Sequence, residues 1–152
     1  MIELIREPFA SIRDEIEPLW QAHFSEVCRD RDAVPLDVDV DTYAAMDVAG
    51  ELIVVSARRA SQLVGYAFAL VGYHRHHRST VVGQMDMYYL CPDCRGGRTA
   101  FRLFRAVESE VRAAGAVRFT IETLSDRSHS RLLRRLGYAP NEIMHTKLLR
   151  AA

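Results

Sequence analysis

The sequence has few cysteines, no long apolar run and no excess of charge of either sign. Three cysteines, an odd number, are too few for a disulfide scaffold and predict reduced thiols in a cytoplasm. The 20 basic and 20 acidic side chains balance, which disfavours a nucleic-acid partner and an anionic membrane surface. Because no apolar run approaches the length of a membrane span and charges occur too early for a signal peptide, we expect no membrane association.

The sequence does contain regular apolar patterns along its 152 residues. Segments of period two and period 3.6 predict strands and helices in a clear order: a strand at 2–7, helices at 8–27 and 41–50, antiparallel strands at 51–58, 62–74 and 81–91, a helix at 98–114, a strand at 116–124, a helix at 127–136 and a last strand at 142–150. The strand–helix–strand unit of the second half should be parallel. We expect one domain over residues 1–152, of the α/β (α+β) class, with a mixed sheet and helices on both faces.

Two of the cysteines, Cys91 and Cys94, have the spacing of a metal or redox motif. A structural zinc site needs four ligands, and only the distant Cys28 remains to help. A redox dithiol needs its first cysteine at a helix N-terminus, whereas Cys91 ends a predicted strand. We therefore favour incidental cysteines over a metal or redox site, and expect no metal there.

The segment that follows, Arg95 to Ala100, is a Gly- and Arg-containing loop that opens directly into a helix. Such a loop presents unpaired backbone N–H groups at the positive end of the helix dipole, which is an anion site. Arg95 and Arg98 add charge that suits phosphate oxygens. A flexible turn is the alternative, and the Walker and Rossmann glycine spacings are both absent.

The stretches "YYLCPDCRGGRTAFRLF" and "SDRSHSRLLRRLGYAP" resemble the GNAT superfamily of N-acetyltransferases. The family's pyrophosphate loop reads R/Q-x-x-G-x-G/A, and Arg95 and Ala100 match its first and last positions. The order of elements agrees over essentially the whole chain. Segments such as "HFSE" at 23–26 and "DMYYLCPDCRGG" at 86–97 are similar to a phage and prophage branch. The resemblance implies a mostly antiparallel GNAT sheet.

The resemblance also implies an acetyl-CoA-dependent N-acetyltransferase whose acceptor amine attacks the thioester directly in a ternary complex. A small-molecule or protein amine would serve as acceptor, and a homodimer is compatible with the family. A backbone N–H near Tyr88 would polarise the thioester carbonyl, and the pantetheine arm would pair with residues 88–90. The residues implied in cofactor binding are Tyr89, Leu90, Arg95, Gly96, Gly97, Arg98, Thr99 and Ala100.

Two positions depart from the family pattern. Arg98 stands where the family has its central glycine, and Leu133 stands where a tyrosine often protonates the leaving thiolate. Tyr138 is nearby, but its direction cannot be read from the sequence. These departures support an alternative function, a catalytically degenerate GNAT-fold protein that binds CoA or a partner.

Asp86 is the best candidate for the proton acceptor that an alkyl ammonium needs before it attacks. Period-two alternation places it on the same strand face as Gln84, Tyr88 and Leu90, one strand step from the segment expected to hold the thioester. The alternative is a structural acid at a solvated strand edge.

Substrate recognition is expected around the first helix and the histidine-rich turn. His23 is either a hydrogen-bonded core histidine or, with Asp39 and Tyr43, part of the acceptor wall that the resemblance implies. His74 and His76 are candidates for the acceptor pocket, and the alternatives are an exposed polar hairpin or a metal-dependent enzyme. The arginines at 127, 131, 134 and 135 suggest a solvated helix face rather than a nucleic-acid surface.

Overall fold

The computed structural model describes residues 1–124 and 130–149. The strands are β1 (Ile2–Arg6), β2 (Leu52–Arg59), β3 (Gln62–His74), β4 (His77–Leu90) and β5 (Arg118–Thr120). The helices are α1 (Phe9–Val27), α2 (Val40–Val48), α3 (Thr99–Ala113) and α4 (Ser130–Arg135), with a short 3-10 helix at Pro92–Cys94. No helix in this part of the chain combines the length and the apolar character that crossing a bilayer requires.

The five strands form one sheet in the order β1-β2-β3-β4-β5. The first four pair antiparallel, and β5 lies parallel to β4, so the expectation of a mixed, mostly antiparallel sheet is confirmed. The hairpin between β2 and β3 turns at Ala60 and Ser61, which both have positive φ. Such a two-residue turn matches the right-handed twist of the flanking strands.

Helices cover both faces of the sheet, as expected. The apolar stripe of α1, formed by Phe9, Ile12, Ile16 and Trp20, packs on one face together with α2. On the opposite face, α3 packs its buried residues against small side chains of β2 and β3, and the leucines of α4 extend that core. The two faces therefore differ: one is rich in aromatic rings, and the other brings a helix close to the sheet.

The last predicted strand is not found in the residues that are described. Residues 142–149 have no strand partner there, and Ile143 and Leu149 are 84% and 83% exposed. The predicted strand at 116–124 is reduced to Arg118–Thr120. A strand exists only through hydrogen bonds to a neighbour, and three residues of β5 offer few. The predicted helix start at 127–129 and the strand end at 150 lie outside the described residues.

Strand β4 departs from regular pairing in two places that position the site. A bulge interrupts its register with β3, because Phe68 pairs with Met87 while Ala69 pairs with Met85. Asp86 is thus the extra residue. In addition, β5 pairs only with Val82–Gln84, so the remainder of β4 continues to Leu90 without a strand neighbour on that side among the residues that the structure describes.

We predict that Gly65→Ala destabilises the fold by about 1–3 kcal/mol through overpacking. A Cβ at Gly65 would lie 2.6 Å from the carbonyl oxygen of Tyr89 and 2.5 Å from a methyl group of Leu90, on the strand that carries the site. Gly72→Ala is the matched control, because Gly72 lies on β3 together with Gly65 and a Cβ there meets nothing within 4 Å. Urea unfolding should show the loss for the first variant only, and equal stability of the two variants would contradict the prediction.

Candidate active site

The loop before α3 exposes a set of backbone amides. Gly97 has φ of +65°, and the first helical hydrogen bond runs from the Arg102 amide to the Arg98 carbonyl. Arg98 is the N-cap residue and provides no side-chain cap. Within the described residues, no acceptor is found for the amides of residues 96–101. Free donors at the positive end of a helix dipole suit an anion, and the binding of one at this loop stays a prediction.

An arginine-lined cleft of about 690 Å³ lies beside these amides. Its lining comprises Gly97, Arg98, Ala100, Phe101, Arg131, Leu132 and Arg135. Within the described residues none of its three arginines forms an ion pair, so the cleft is cationic. Arg131 and Arg135, which the sequence suggested were a solvated helix face, are one turn apart on α4 and contribute to this cleft.

Arg95 is used differently from the other arginines. Its guanidinium forms two hydrogen bonds to the Glu26 carboxylate, at 2.8 and 2.6 Å, and donates a third to the carbonyl of Leu90 at 2.8 Å. The same group lies 5.3 Å from the ring centre of Tyr89. Its backbone amide donates to Pro92. Arg95 therefore holds the loop against α1 and β4, and its role as a phosphate ligand remains a prediction.

The edge of β4 that has no strand partner beyond Gln84, among the described residues, leads from this loop into the sheet. The amide of Cys91 donates to Val64 on β3, and backbone groups alternate sides along a strand. The backbone groups of Leu90 and Tyr88 therefore face the opposite edge, where β5 has ended. The Tyr88 side chain packs 4.9 Å from Phe104, and burial raises its pKa.

Asp86 lies on the other face of the sheet from Tyr88. Its carboxylate accepts a 2.6 Å hydrogen bond from the Tyr43 hydroxyl on α2. The period-two expectation was wrong on this point, because the bulge shifts the alternation and leaves Tyr88 and Leu90 on the α3 face. Asp86 is exposed, and burial together with this carboxylate raises the pKa of Tyr43. Two residues from the candidate list, Tyr43 and Asp86, are thus brought together.

His23 lies deeper on the same face. Its Nδ1 is 2.8 Å from the hydroxyl of Tyr66, and its ring stacks on Tyr89 at 5.3 Å. Burial is the main reason that its pKa is lowered. This is the hydrogen-bonded reading of His23, and a part in recognition remains a prediction. The sequence did not indicate Tyr66, because an apolar strand pattern gives no sign of a buried hydroxyl.

The other recognition candidates are placed less favourably. Asp39 caps α2, accepting hydrogen bonds from the amide and hydroxyl of Thr42, and the amide bond is the main cause of its lowered pKa. His74 and His76 lie at the tip of the β3–β4 hairpin, and His74 is five to six residues of β3, about 17–20 Å, from the residues that flank Asp86 across the strands. Across residues 1–124 and 130–149, no three His, Cys, Asp or Glu side chains are grouped to hold a metal.

The two neighbouring cysteines lie at the end of β4 and are not paired in a disulfide. Burial raises the pKa of both Cys91 and Cys94. A raised pKa leaves less thiolate near neutral pH, and the thiolate is both the nucleophile and the metal ligand. The geometry offers no activating environment for these thiols.

We predict that Cys91 and Cys94 alkylate more slowly than free cysteine at pH 7.5, with rates that rise as the pH approaches their raised pKa values. Mass spectrometry after iodoacetamide treatment measures this directly. The Cys91→Ala, Cys94→Ser double variant should fold and bind cofactor as the parent does. Stoichiometric zinc in the parent that is lost from the double variant would contradict the incidental role.

Comparison with known proteins explains this arrangement. Residues 9–138 match the model of the Acetyltransferase (GNAT) family. The chain belongs to the GNAT acetyltransferase family. The match includes the amide loop, the open edge of β4 and Asp86. No curated protein sequence matches the chain.

Solved GNAT-like structures share the fold at low identity. A ribosomal-protein-alanine N-acetyltransferase from Brucella melitensis biovar Abortus 2308 is 16% identical, with a TM-score of 0.74 over 100% of this chain and 99% of that one. A predicted acetyltransferase with acetyl-CoA from Clostridium acetobutylicum is 10% identical, with a TM-score of 0.71 over 97% and 96%. AAC(6')-Iy in complex with a CoA bisubstrate analogue is 16% identical, with a TM-score of 0.66 over 99% of both chains.

The two departures from the GNAT pattern can now be placed. The positive φ of the loop falls on Gly97, whereas Arg98 has φ of −102°, so an arginine fits there without strain. Leu133 packs into the core beneath α3. Tyr138 packs edge-to-face with Phe119, and burial and the nearby Glu108 raise its pKa. Leu133 and Tyr138 therefore do not lie on the face of the sheet that carries Asp86.

We predict that Gly97→Ala weakens acetyl-CoA binding by about tenfold, because a side chain in the left-handed region costs about 1–2 kcal/mol. Gly96→Ala is the matched control, since a Cβ at either glycine meets nothing within 4 Å and only Gly97 has positive φ. Calorimetry should show less than a twofold change for the control. Equal affinities of the two variants would exclude the loop conformation as the determinant of binding.

Proposed function

We propose that the protein is an acetyl-CoA-dependent N-acetyltransferase, with the whole chain acting as one domain. The observation that supports this best is the continuity of three features: the unpaired amides at 96–101, the cationic cleft beside them and the open edge of β4. Together they offer a path for a phosphate-bearing, extended cofactor that ends near Asp86. All three cysteines are free thiols, which fits the reducing cytoplasm where we place the enzyme.

In this proposal the phosphates lie on the loop amides and beside Arg98, Arg131 and Arg135. The pantetheine arm follows the open edge of β4, where a backbone N–H near Tyr88 would stabilise the developing oxyanion. When bound, acetyl-CoA supplies the thioester acyl group. The acceptor nitrogen would form the new C–N bond, the C–S bond would break so that CoA leaves as a thiolate that takes a proton from solvent, and the amine proton would pass to Asp86 directly or through a water.

The acceptor that we propose is a small-molecule amine. Several supporting features lie around Asp86, which is exposed beside Tyr43 on the helix-α2 face. The segment that leads into α2 adds the exposed acids Asp37, Asp39 and Asp41, which would attract an ammonium group. Among the proteins of similar fold are aminoglycoside acetyltransferases, one of them in complex with sisomicin.

A second candidate function is CoA or partner binding without catalysis. It is favoured by Leu133, since the family's tyrosine position is occupied by a half-buried leucine. Release of free thiol from acetyl-CoA in the presence of an amine panel separates the two functions. Binding of acetyl-CoA with no thiol release for any amine would favour the second candidate.

We predict that Asp86→Asn lowers kcat by roughly 10²–10⁴-fold and leaves acetyl-CoA affinity nearly unchanged, because the carboxylate acts on the amine. The deficit should shrink as pH rises, since more of the amine is then already neutral in solution. Steady-state kinetics from pH 6 to 10 measure both effects.

Asp14→Asn is the control for this variant. It removes the same charge from an exposed position of helix α1, to which no part of the acceptor site is assigned, so turnover should stay within about twofold of the parent, as expected of an exposed surface change. Full turnover of Asp86→Asn at every pH would show that Asp86 is a structural acid.

A further inference from the structure

The C-terminal end of α1 has two side chains that face the end of β4 and the loop after it: His23 stacks on Tyr89 of β4, and Glu26 binds Arg95 of the loop. They are three residues apart and therefore lie on one face of the helix. Glu26 takes the Arg95 guanidinium in a two-pronged ion pair with both distances at or below 2.8 Å. His23 stacks on Tyr89, the ring that the same guanidinium approaches at 5.3 Å. Arg95 is thus held by helix α1, none of whose residues lines the cleft.

The third prong of Arg95 fixes the end of β4. Its Nε donates to the carbonyl of Leu90 at 2.8 Å, and Leu90 ends the strand whose open edge faces the cofactor path. The ion pair is partly shielded, with side-chain exposures of 40% for Arg95 and 28% for Glu26. All three guanidinium nitrogens of Arg95 donate hydrogen bonds, to Glu26 and to the Leu90 carbonyl. The planar group therefore has little freedom to turn toward a phosphate.

We propose that Glu26 is a positioning residue for acetyl-CoA, acting through Arg95. This rests on the proposed function. Glu26 orients the guanidinium so that it fixes the Leu90 carbonyl and the start of the loop, and the amides at 96–101 are then pre-arranged for the phosphates. Direct phosphate contacts fall to Arg98, Arg131 and Arg135, which line the cleft and have no ion-pair partner among the described residues.

Simple electrostatics gives the opposite expectation, which makes the proposal testable by sign. Glu26→Gln removes a negative charge near the phosphate site and releases Arg95, so charge alone predicts tighter binding of CoA. Positioning predicts weaker binding, by about tenfold, because hydrogen bonds to a charged group are lost and the loop is less ordered.

The experiment is a double-mutant cycle on the full-length protein, with the affinity for free CoA measured by calorimetry. Glu26→Gln and Arg95→Gln should each weaken CoA about tenfold, and the double variant should bind no worse than either single variant, because both changes remove one interaction. Glu17→Gln is the control: it removes the same charge from an exposed position of α1 and should leave the affinity within twofold.

Three outcomes would overturn the proposal: equal or tighter CoA binding by Glu26→Gln, additive losses in the double variant, or an equal loss in Glu17→Gln. Thermal melts identify a variant that does not fold, and Arg95→Lys then takes its place. Lysine keeps the charge but lacks the fork, so it should also bind CoA about tenfold more weakly. If the parent itself binds no CoA, the proposed function fails with it, whereas a parent that binds and a normal Glu26→Gln refute the positioning role alone.

Discussion

The separation of β4 from β5 is the constraint on which the candidate site depends. Parallel pairing covers only Val82–Gln84, after which β4 continues with no strand paired to that edge among the residues that the structure describes. An uncovered strand edge inside a domain exposes backbone donors and acceptors that need a partner. An extended amide-containing ligand satisfies that need in the way another strand would. The loop and α3 follow directly, so the same chain turn that ends the strand also presents the phosphate donors.

Basic and acidic side chains lie in different parts of the fold, although the net charge of the chain is zero. The two proposed substrates would therefore meet different surroundings. The cleft beside α3 is lined by Arg98, Arg131 and Arg135, whereas the segment leading into α2 is acidic. An anionic cofactor and a cationic amine would therefore approach from different sides and meet at the edge of β4. Balanced composition concealed this division, because total charge carries no information about where charges lie.

The sequence predicted the parts of the site that depend on local pattern. A strand followed by Gly96, Gly97 and an amphipathic helix indicated the anion loop, and apolar, β-rich runs indicated all five strands of the sheet, although β5 is shorter than predicted. It could not predict the bulge at Asp86, because an extra residue in one strand becomes visible only against the register of its partner. Nor could it pair Glu26 with Arg95, which are 69 positions apart and meet only through tertiary packing.

The absence of a tyrosine at Leu133 is less costly to catalysis than the loss of a proton acceptor would be. An alkyl amine with a pKa of about 10.4 is neutral in roughly one molecule in 2,500 at pH 7. The pKa of a thiol, about 8.5, lies only about 1.5 units above pH 7. At 1.36 kcal/mol per unit, deprotonating the amine opposes the reaction by about 4.6 kcal/mol, and protonating the leaving thiolate can contribute only about 2. If the exposed carboxylate of Asp86, which accepts the Tyr43 hydrogen bond, takes the amine proton as we propose, the site keeps the group that acts on the larger of these two steps.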